Sequence, residues 1–183
     1  MAVPTKIRHR PPPKRIVGHL DGMGQSVEKL QIVTATLPRQ FQAAAVLFRQ
    51  YADSLGFDLD FQDFEGELAD LPSMYGPPEG CLLLAVTREG PPLGCVALRR
   101  LENDVCEMKR LYVTPVFQGR GLGRRLAEAI IAEARRLGYA VMRLDTVVEM
   151  TAANALYDSL GFRPIAPYRY NPLETAAYYE LPL

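Results

Sequence analysis

Apolar and polar positions along the chain follow two different periods, and their order predicts a mixed α/β protein. Apolar spacings of three and four residues predict helices at 38–55, 61–71, 122–137 and 151–160. Apolar runs of strand length, bounded by turn residues, predict strands at 30–34, 81–87, 93–100, 105–113, 139–146, 162–168 and 178–181. The predicted order is β-α-α-β-β-β-α-β-α-β-β. A chain of 183 residues is expected to form one domain from these elements.

Residues 1–29 differ from the rest of the chain. They contain six lysines and arginines against two acidic residues, a run of three prolines, and no apolar periodicity. A segment of this composition cannot bury a core, so we expect a flexible basic extension followed by a folded domain at 30–183. A basic arm that binds a partner, or a start codon placed too far upstream, is the alternative.

Composition excludes several classes of protein. The net charge is zero, which argues against binding nucleic acid through a basic face. No apolar run approaches the roughly 20 residues that a membrane span needs. The three cysteines lie in apolar, strand-like contexts, which is typical of free buried thiols in the cytoplasm. Both histidines, His9 and His19, lie in the extension, so we expect neither a histidine-based catalytic triad nor a metal site in the domain.

The segment from Gln118 to Gly123 is the most informative stretch of the chain. Glycines occupy three alternate positions between a predicted strand and a predicted helix. Without Cβ atoms an anion can approach the backbone, and the first turn of the helix offers unpaired N–H groups. Arg124 and Arg125 fall in that first turn, where a cation is unfavourable unless an anion is bound. The pattern predicts a phosphate-binding loop.

Two other phosphate loops fit less well. A Walker loop needs lysine and then serine or threonine after its last glycine, but Arg124 and Arg125 follow here. A dinucleotide fingerprint would need glycine at position 124. Asp145 ends the next predicted strand, roughly where a ribose-binding acid would lie, and is the one point in favour of that alternative.

The pattern Q/R-x-x-G-x-G after the strand ending at Thr114-Pro115 resembles the pyrophosphate loop of the GNAT superfamily of N-acetyltransferases. The resemblance runs from about residue 30 to the C-terminus and is strongest over 106–162. It implies a mostly antiparallel central sheet with splayed strands, flanked by helices, and acetyl-CoA as co-substrate. It also implies the residues that bind this cofactor, which are Leu111, Tyr112, Val113, Gln118, Gly119, Arg120, Gly121, Leu122, Gly123, Arg124 and Asn154.

The same resemblance suggests catalytic roles for Tyr157 and Glu107. Tyr157 would protonate the departing thiolate, which is reasonable because a phenol can donate to sulfur as it gains charge. Glu107, or a water, would deprotonate the acceptor amine. Lys109, and Arg110 less clearly, could bind a carboxylate of the acceptor. Strand alternation places Glu107 and Lys109 on one face, so a salt bridge between them is the alternative.

The resulting hypothesis is a cytoplasmic N-acetyltransferase that transfers acetyl groups from acetyl-CoA to the primary amine of a small or amino-acid-like acceptor by direct attack. A protein or peptide acetyltransferase and a non-catalytic CoA-binding module are the alternatives. The sequence predicts no nucleic-acid partner and no membrane partner. It leaves a homodimer and the identity of the acceptor open.

Overall fold

The computed structural model describes residues 30–183. The expectations about residues 1–29, including His9 and His19, lie outside this range. None of the helices in the described range is long and apolar enough to span a bilayer. The same residues contain no cluster of three or more metal-binding side chains.

One mixed sheet forms the centre of the described domain. Its strands are β1 (Gln31–Thr34), β2 (Cys81–Val86), β3 (Gly94–Glu102), β4 (Val105–Val113), β5 (Val141–Val147), β6 (Arg163–Pro164) and β7 (Ala176–Pro182). Their spatial order is β1-β2-β3-β4-β5-β7-β6. All neighbours are antiparallel except β4 and β5, which are parallel. This arrangement confirms the predicted fold class.

Helices cover both faces of the sheet. They are α1 (Pro38–Ser54), α2 (Phe64–Ala69), α3 (Leu71–Tyr75), α4 (Leu122–Arg136) and α5 (Thr151–Ser159). The first three pack on one face, where α1 buries residues such as Phe48 against β2 and β3. On the other face α4 buries an apolar stripe that includes Leu126 and Ile130, and α5 contributes Tyr157. Each face thus has its own apolar core.

Two predicted elements differ from the structure. The helix expected at 61–71 is broken into a 3₁₀ turn (Asp60–Gln62), α2 and α3. Asp63 adopts a left-handed conformation with φ of 54° and so interrupts the helical path. The strand expected at 162–168 shortens to β6, because its two prolines have no N–H to donate to a neighbouring strand.

The parting of β4 from β5 shapes the site. The two strands pair only from Val105 to Glu107 on β4, opposite 141–143 on β5. Beyond that point β4 continues beside β3, and β5 continues beside β7. A cleft therefore opens between the second half of β4 and the second half of β5. This is the splay that the sequence resemblance implies.

An irregularity in β4 changes which side chains face the α1–α3 layer. Lys109 pairs with Ala97 and Tyr112 pairs with Cys95, so β4 has one extra residue in this interval. Arg110 takes a φ of 57° there, which is typical of a β-bulge. As a result Lys109 and Arg110, although consecutive, point to the same side of the sheet.

Candidate active site

The cleft between β4 and β5 is lined by several of the residues that the sequence singles out. Leu111 lines it from β4, Thr146 and Val147 line it from β5, and Tyr157 lines it from α5. The segment before α2 covers its far side with aromatic and aliphatic residues, which include Phe57, Leu59 and Phe61. The cleft thus has a channel side near α5 and a covered side near the 3₁₀ turn.

The glycine loop follows β4 after the 3₁₀ turn Pro115–Phe117, and the space beside two of its glycines is open. Gly119 and Gly121 have φ of 74° and 78°, which side chains rarely adopt. No atom lies within 4 Å of the position that a Cβ would take at either glycine. Gly121 is the N-terminal cap of α4, so the unpaired N–H groups of the first turn lie next to this open space. Leu122 is buried and anchors the helix start.

Three polar side chains predicted to bind the cofactor have partners within the protein. Gln118 donates from Nε2 to the carbonyl of Val113 at 2.9 Å and so ties the loop to the end of β4. The guanidinium of Arg120 stacks on Phe117, 5.3 Å from the ring centre. Arg124 donates to the hydroxyl of Ser159 on α5. These contacts position the loop, and they leave its backbone amides for a ligand.

The segment Leu111, Tyr112 and Val113 offers its backbone rather than its side chains. The ring of Tyr112 packs toward α1, with an edge-on contact to Tyr51 at 6.2 Å between ring centres. Val113 packs in the core beneath α4. Only Leu111 of these three lines the cleft. Their strand edge facing β5 has no partner strand within the described residues.

Asn154 and Tyr157 both lie on α5 beside this edge. The side-chain amide of Asn154 donates to the carbonyls of Val147 and Val148 at 3.1 and 3.3 Å. Its Oδ1 is buried and is the one side-chain polar atom in 30–183 that is buried without a partner. A buried acceptor without a donor is costly, so this oxygen fits an N–H group supplied by a ligand.

Tyr157 is suited to hold a proton in the cleft. Burial raises the pKa of its phenol above the ordinary value, so the hydroxyl keeps its proton at neutral pH. Its ring is fixed by edge contact with Phe162, at 5.7 Å between ring centres. No hydrogen-bond partner for the hydroxyl is present among the described residues. The group is therefore oriented by packing and is available to a ligand.

The contacts of Glu107 weigh against the role of a base. Its side chain is 0% exposed and accepts hydrogen bonds from Tyr168 and Arg169, both at 2.9 Å, and from Arg99 at 2.8 Å. Burial opposes ionisation, but the charges of Lys109, Arg99 and Arg169 outweigh it and lower the pKa of Glu107 to about 2. Such a carboxylate is a weak proton acceptor. The predicted salt bridge to Lys109 is replaced by these two arginines.

Lys109 instead belongs to a second polar cluster on the covered side of the cleft. Its ammonium lies 3.5 Å from Oδ1 of Asp145 and donates to Oε1 of Gln62 at 3.0 Å. Arg110 donates to the same oxygen of Gln62 at 3.2 Å and forms a buried ion pair with Glu67. Burial lowers the pKa of Lys109 to about 8, against the attraction of Glu107 and Asp145.

Sequence patterns assigned only the two cations of this cluster, Lys109 and Arg110, as candidates to bind a carboxylate of the acceptor. The sequence predicts Asp145 only as the ribose-binding acid of an alternative fold, and it predicts no role for Gln62, although both residues line the cleft. Gln62 lies in the turn where a continuous helix was predicted, so its orientation depends on the break at Asp63. The only signal in the sequence was the unusual pair of cations, Lys109 and Arg110, within an otherwise apolar strand.

Comparison with known proteins agrees with this geometry. The family model described as acetyltransferase (GNAT) family matches residues 43–162. An uncharacterized N-acetyltransferase of Schizosaccharomyces pombe is 39% identical over 153 residues, covering 83% of this chain and 94% of that protein. A Staphylococcus aureus acetyltransferase of the GNAT family has a TM-score of 0.70 at 19% identity, covering 83% of this chain and 98% of the other. Salmonella typhimurium YncA, solved with its cofactor acetyl-CoA, has a TM-score of 0.60 at 22% identity, covering 84% of this chain and 93% of the other.

The fold and the site define an N-acetyltransferase, and the chain belongs to the GNAT acetyltransferase family. This confirms the resemblance drawn from the glycine loop. The two solved structures, both below 25% identity, support the fold. Acetyl transfer from acetyl-CoA is the general reaction of the family.

Proposed function

We propose that this protein transfers the acetyl group of acetyl-CoA to the amine of a small acceptor bound in the cleft between β4 and β5. The observation that carries the proposal is the parting of these two strands next to the glycine loop. It leaves an open strand edge on β4, to which a ligand with amide groups can add like a further strand. Tyr157 lines the same cleft with a protonated hydroxyl.

The residues of the cleft fit acetyl-CoA along its length. The backbone at Gly119 and Gly121 and the start of α4 would hold the pyrophosphate. The open edge at 111–113 would pair with the amide groups of the pantetheine arm, and Asn154 Oδ1 would accept from one of their N–H groups. When bound, acetyl-CoA supplies an acetyl group activated as a thioester.

The proposed reaction is direct attack by the amine. A bond forms between the amine nitrogen and the acetyl carbon while the bond from that carbon to sulfur breaks. The nitrogen loses one proton to water, and the sulfur takes one proton from Tyr157, which regains it from solvent. We assign the first proton to water rather than to Glu107 because two arginines and Tyr168 already hold that carboxylate.

The burial of the cysteine thiols argues against a covalent enzyme intermediate. Cys81, Cys95 and Cys106 are all buried. Burial raises the pKa of Cys81 to about 11 and that of Cys106 to about 12, and it raises that of Cys95 further. Thiols in this state are poor nucleophiles at neutral pH. They serve as core residues of the sheet.

Acetyl-CoA turnover across a broad panel of amines tests the proposal. Free thiol released on adding an amine, together with an acceptor whose mass rises by one acetyl group, is the expected result. Parallel reactions without amine report simple hydrolysis. Thiol release that never depends on the amine, or no release with any amine by a protein that binds CoA, would overturn the proposal.

A further inference from the structure

We propose that the acceptor is an α-amino acid. Its carboxylate and amino groups would displace the side-chain carboxamide of Gln62 and occupy the same position. This inference rests on the acetyl transfer proposed above. Its basis is the polar cluster on the covered side of the cleft, which the transfer chemistry itself does not use. Gln62, Lys109, Arg110 and Asp145 form this cluster, and all four line the cleft.

The oxygen of Gln62 occupies a position suited to an anion. Lys109 and Arg110 both donate to Oε1, at 3.0 and 3.2 Å. Their side chains are only 5% and 3% exposed, so neither cation is well solvated. A neutral amide oxygen satisfies them weakly, because hydrogen bonds between ionised groups are roughly twice as strong as neutral ones. A carboxylate oxygen is the natural occupant of this position.

The nitrogen of Gln62 occupies a position suited to an amine. Nε2 donates to Oδ2 of Asp145 at 3.4 Å, and Asn171 donates to the same oxygen at 3.4 Å. One carbon separates the nitrogen and oxygen of a carboxamide, and two carbons separate those of an α-amino acid. An α-amino acid can therefore place its carboxylate at Lys109 and Arg110 while its amino group faces Asp145.

The charged side chains of this cluster, taken together with those that contact them and Glu107, carry a net positive charge that favours one more anion. The cations are Arg99, Lys109, Arg110 and Arg169, and the carboxylates are Glu67, Glu107 and Asp145. Four positive groups against three negative ones leave one positive charge in excess. Lys109 and Arg110 are the buried cations of this set, whereas Arg99 and Arg169 are 26% and 21% exposed. The carboxylate of an acceptor placed at the buried pair would complete the balance.

Gln62 can leave this position without disrupting the core. It lies in the three-residue turn Asp60–Gln62, which contributes no buried residue. The turn ends at Asp63, whose left-handed conformation separates it from α2. Displacement of Gln62 would therefore cost hydrogen bonds that the acceptor itself replaces.

Matched acceptors test the inference on the wild-type protein. L-alanine is compared with ethylamine and L-alaninamide, and L-phenylalanine with phenethylamine and L-phenylalaninamide. Removing the carboxylate should lower kcat/KM roughly 10- to 100-fold, the loss typical of a hydrogen-bonded charge. The full set of protein amino acids extends the comparison to other side chains. Equal or better use of the amines and amides would overturn the inference.

Two variants of Gln62 are expected to differ in their KM for amino acids. Gln62→Glu supplies its own carboxylate to Lys109 and Arg110, so it should raise KM for amino acids by roughly 10-fold. Its second oxygen would face Oδ2 of Asp145, so no gain in melting temperature is expected. KM for the matched amines should change little. Gln62→Ala removes the competing group, so KM for amino acids should stay level or fall. Gln50→Ala, on the exposed face of α1, is the control for loss of a glutamine.

Calorimetry separates this inference from the proposed function. Each of the protein amino acids, L-alanine and L-phenylalanine first, is titrated into the protein with CoA present, and the binding does not depend on turnover. Binding of the amino acids without acetylation would contradict the proposed function and leave the recognition site intact. Absence of binding by every protein amino acid, or a Gln62→Ala variant with a strongly raised KM for all acceptors, would overturn the recognition site.

Discussion

Lys109 and Arg110 are consecutive on β4, yet both donate to Oε1 of Gln62, at 3.0 and 3.2 Å. Consecutive residues of a regular strand point to opposite faces. The bulge at Arg110 removes that alternation, because one extra residue of β4 fits opposite Cys95 and Ala97. A local irregularity of one strand thus concentrates two cations at the covered side of the cleft. The same bulge lies between the segment that pairs with β5 and the open edge.

Tyr157→Phe tests the proton donor. The change removes one hydroxyl and keeps the ring, which packs on Phe162. We expect kcat to fall by roughly 10²- to 10⁴-fold while the affinity for acetyl-CoA stays near the wild-type value. Tyr139→Phe is the control, since its hydroxyl donates to the carbonyl of Glu79, outside the cleft lining. Turnover of Tyr157→Phe at the wild-type rate would remove the assignment.

Gly121→Val tests the pyrophosphate loop. At a φ of 78° a β-branched residue is strained, and its side chain would fill the space above the start of α4. We expect CoA affinity to fall far more than stability. Gly138→Val is a matched control, because Gly138 has a φ of 86° and equally open surroundings at the other end of α4. Both variants should lose stability, about 1–3 kcal/mol, and only Gly121→Val should lose CoA affinity by calorimetry.

Much of this architecture was predictable from local patterns. Pro38 begins α1 as the spacing indicated, and α4 begins within the glycine segment, with Gly121 as its N-terminal cap. Those features depend on neighbours within a few positions. The partners of Glu107 did not follow from the sequence, because Arg99 and Arg169 come from another strand and a distant loop. The bulge at Arg110 and the break at Asp63 likewise depend on tertiary packing.

Glu107→Gln tests whether the carboxylate of Glu107 anchors its partner side chains or acts as a catalytic base. The structure favours anchoring, so the pH–rate profile of the variant should run parallel to the wild type, lower by a constant factor. A base would instead show as activity lost mainly at low pH and recovered at high pH, where more of the amine is neutral. Glu180→Gln, which removes a carboxylate from the more exposed pair with Arg143, is the control.

The same carboxylate makes stability depend on pH. The pKa of Glu107 is lowered from 4.5 to about 2, so the folded state favours its ionised form by about 3 kcal/mol. This contribution is fully present above the unfolded pKa and is lost as pH falls from about 5 toward 2. Denaturant unfolding of wild type and Glu107→Gln between those limits should show a smaller pH slope in the variant. Identical slopes would contradict the anchoring role.

A truncation that begins at Leu30 tests whether residues 1–29 are dispensable. Strand β1 begins at Gln31, and the catalytic groups assigned above all lie further along the chain. We expect CoA affinity and turnover within a few-fold of the full chain. A truncation that keeps its circular dichroism spectrum and melting transition but loses activity would show that residues 1–29 take part in the reaction, with His9 and His19 as the candidate groups.

A single-turnover reaction with acetyl-CoA labelled in the acetyl group tests whether the acetyl group passes directly from the thioester to the acceptor amine. Protein in excess is mixed with the labelled thioester and the best acceptor, and both products are followed by mass spectrometry. Direct transfer predicts that the label moves to the amine of the acceptor as the thiol is released, with no labelled protein at any time. Label on the protein that later passes to the acceptor, or label that ends only in free acetate, would contradict it.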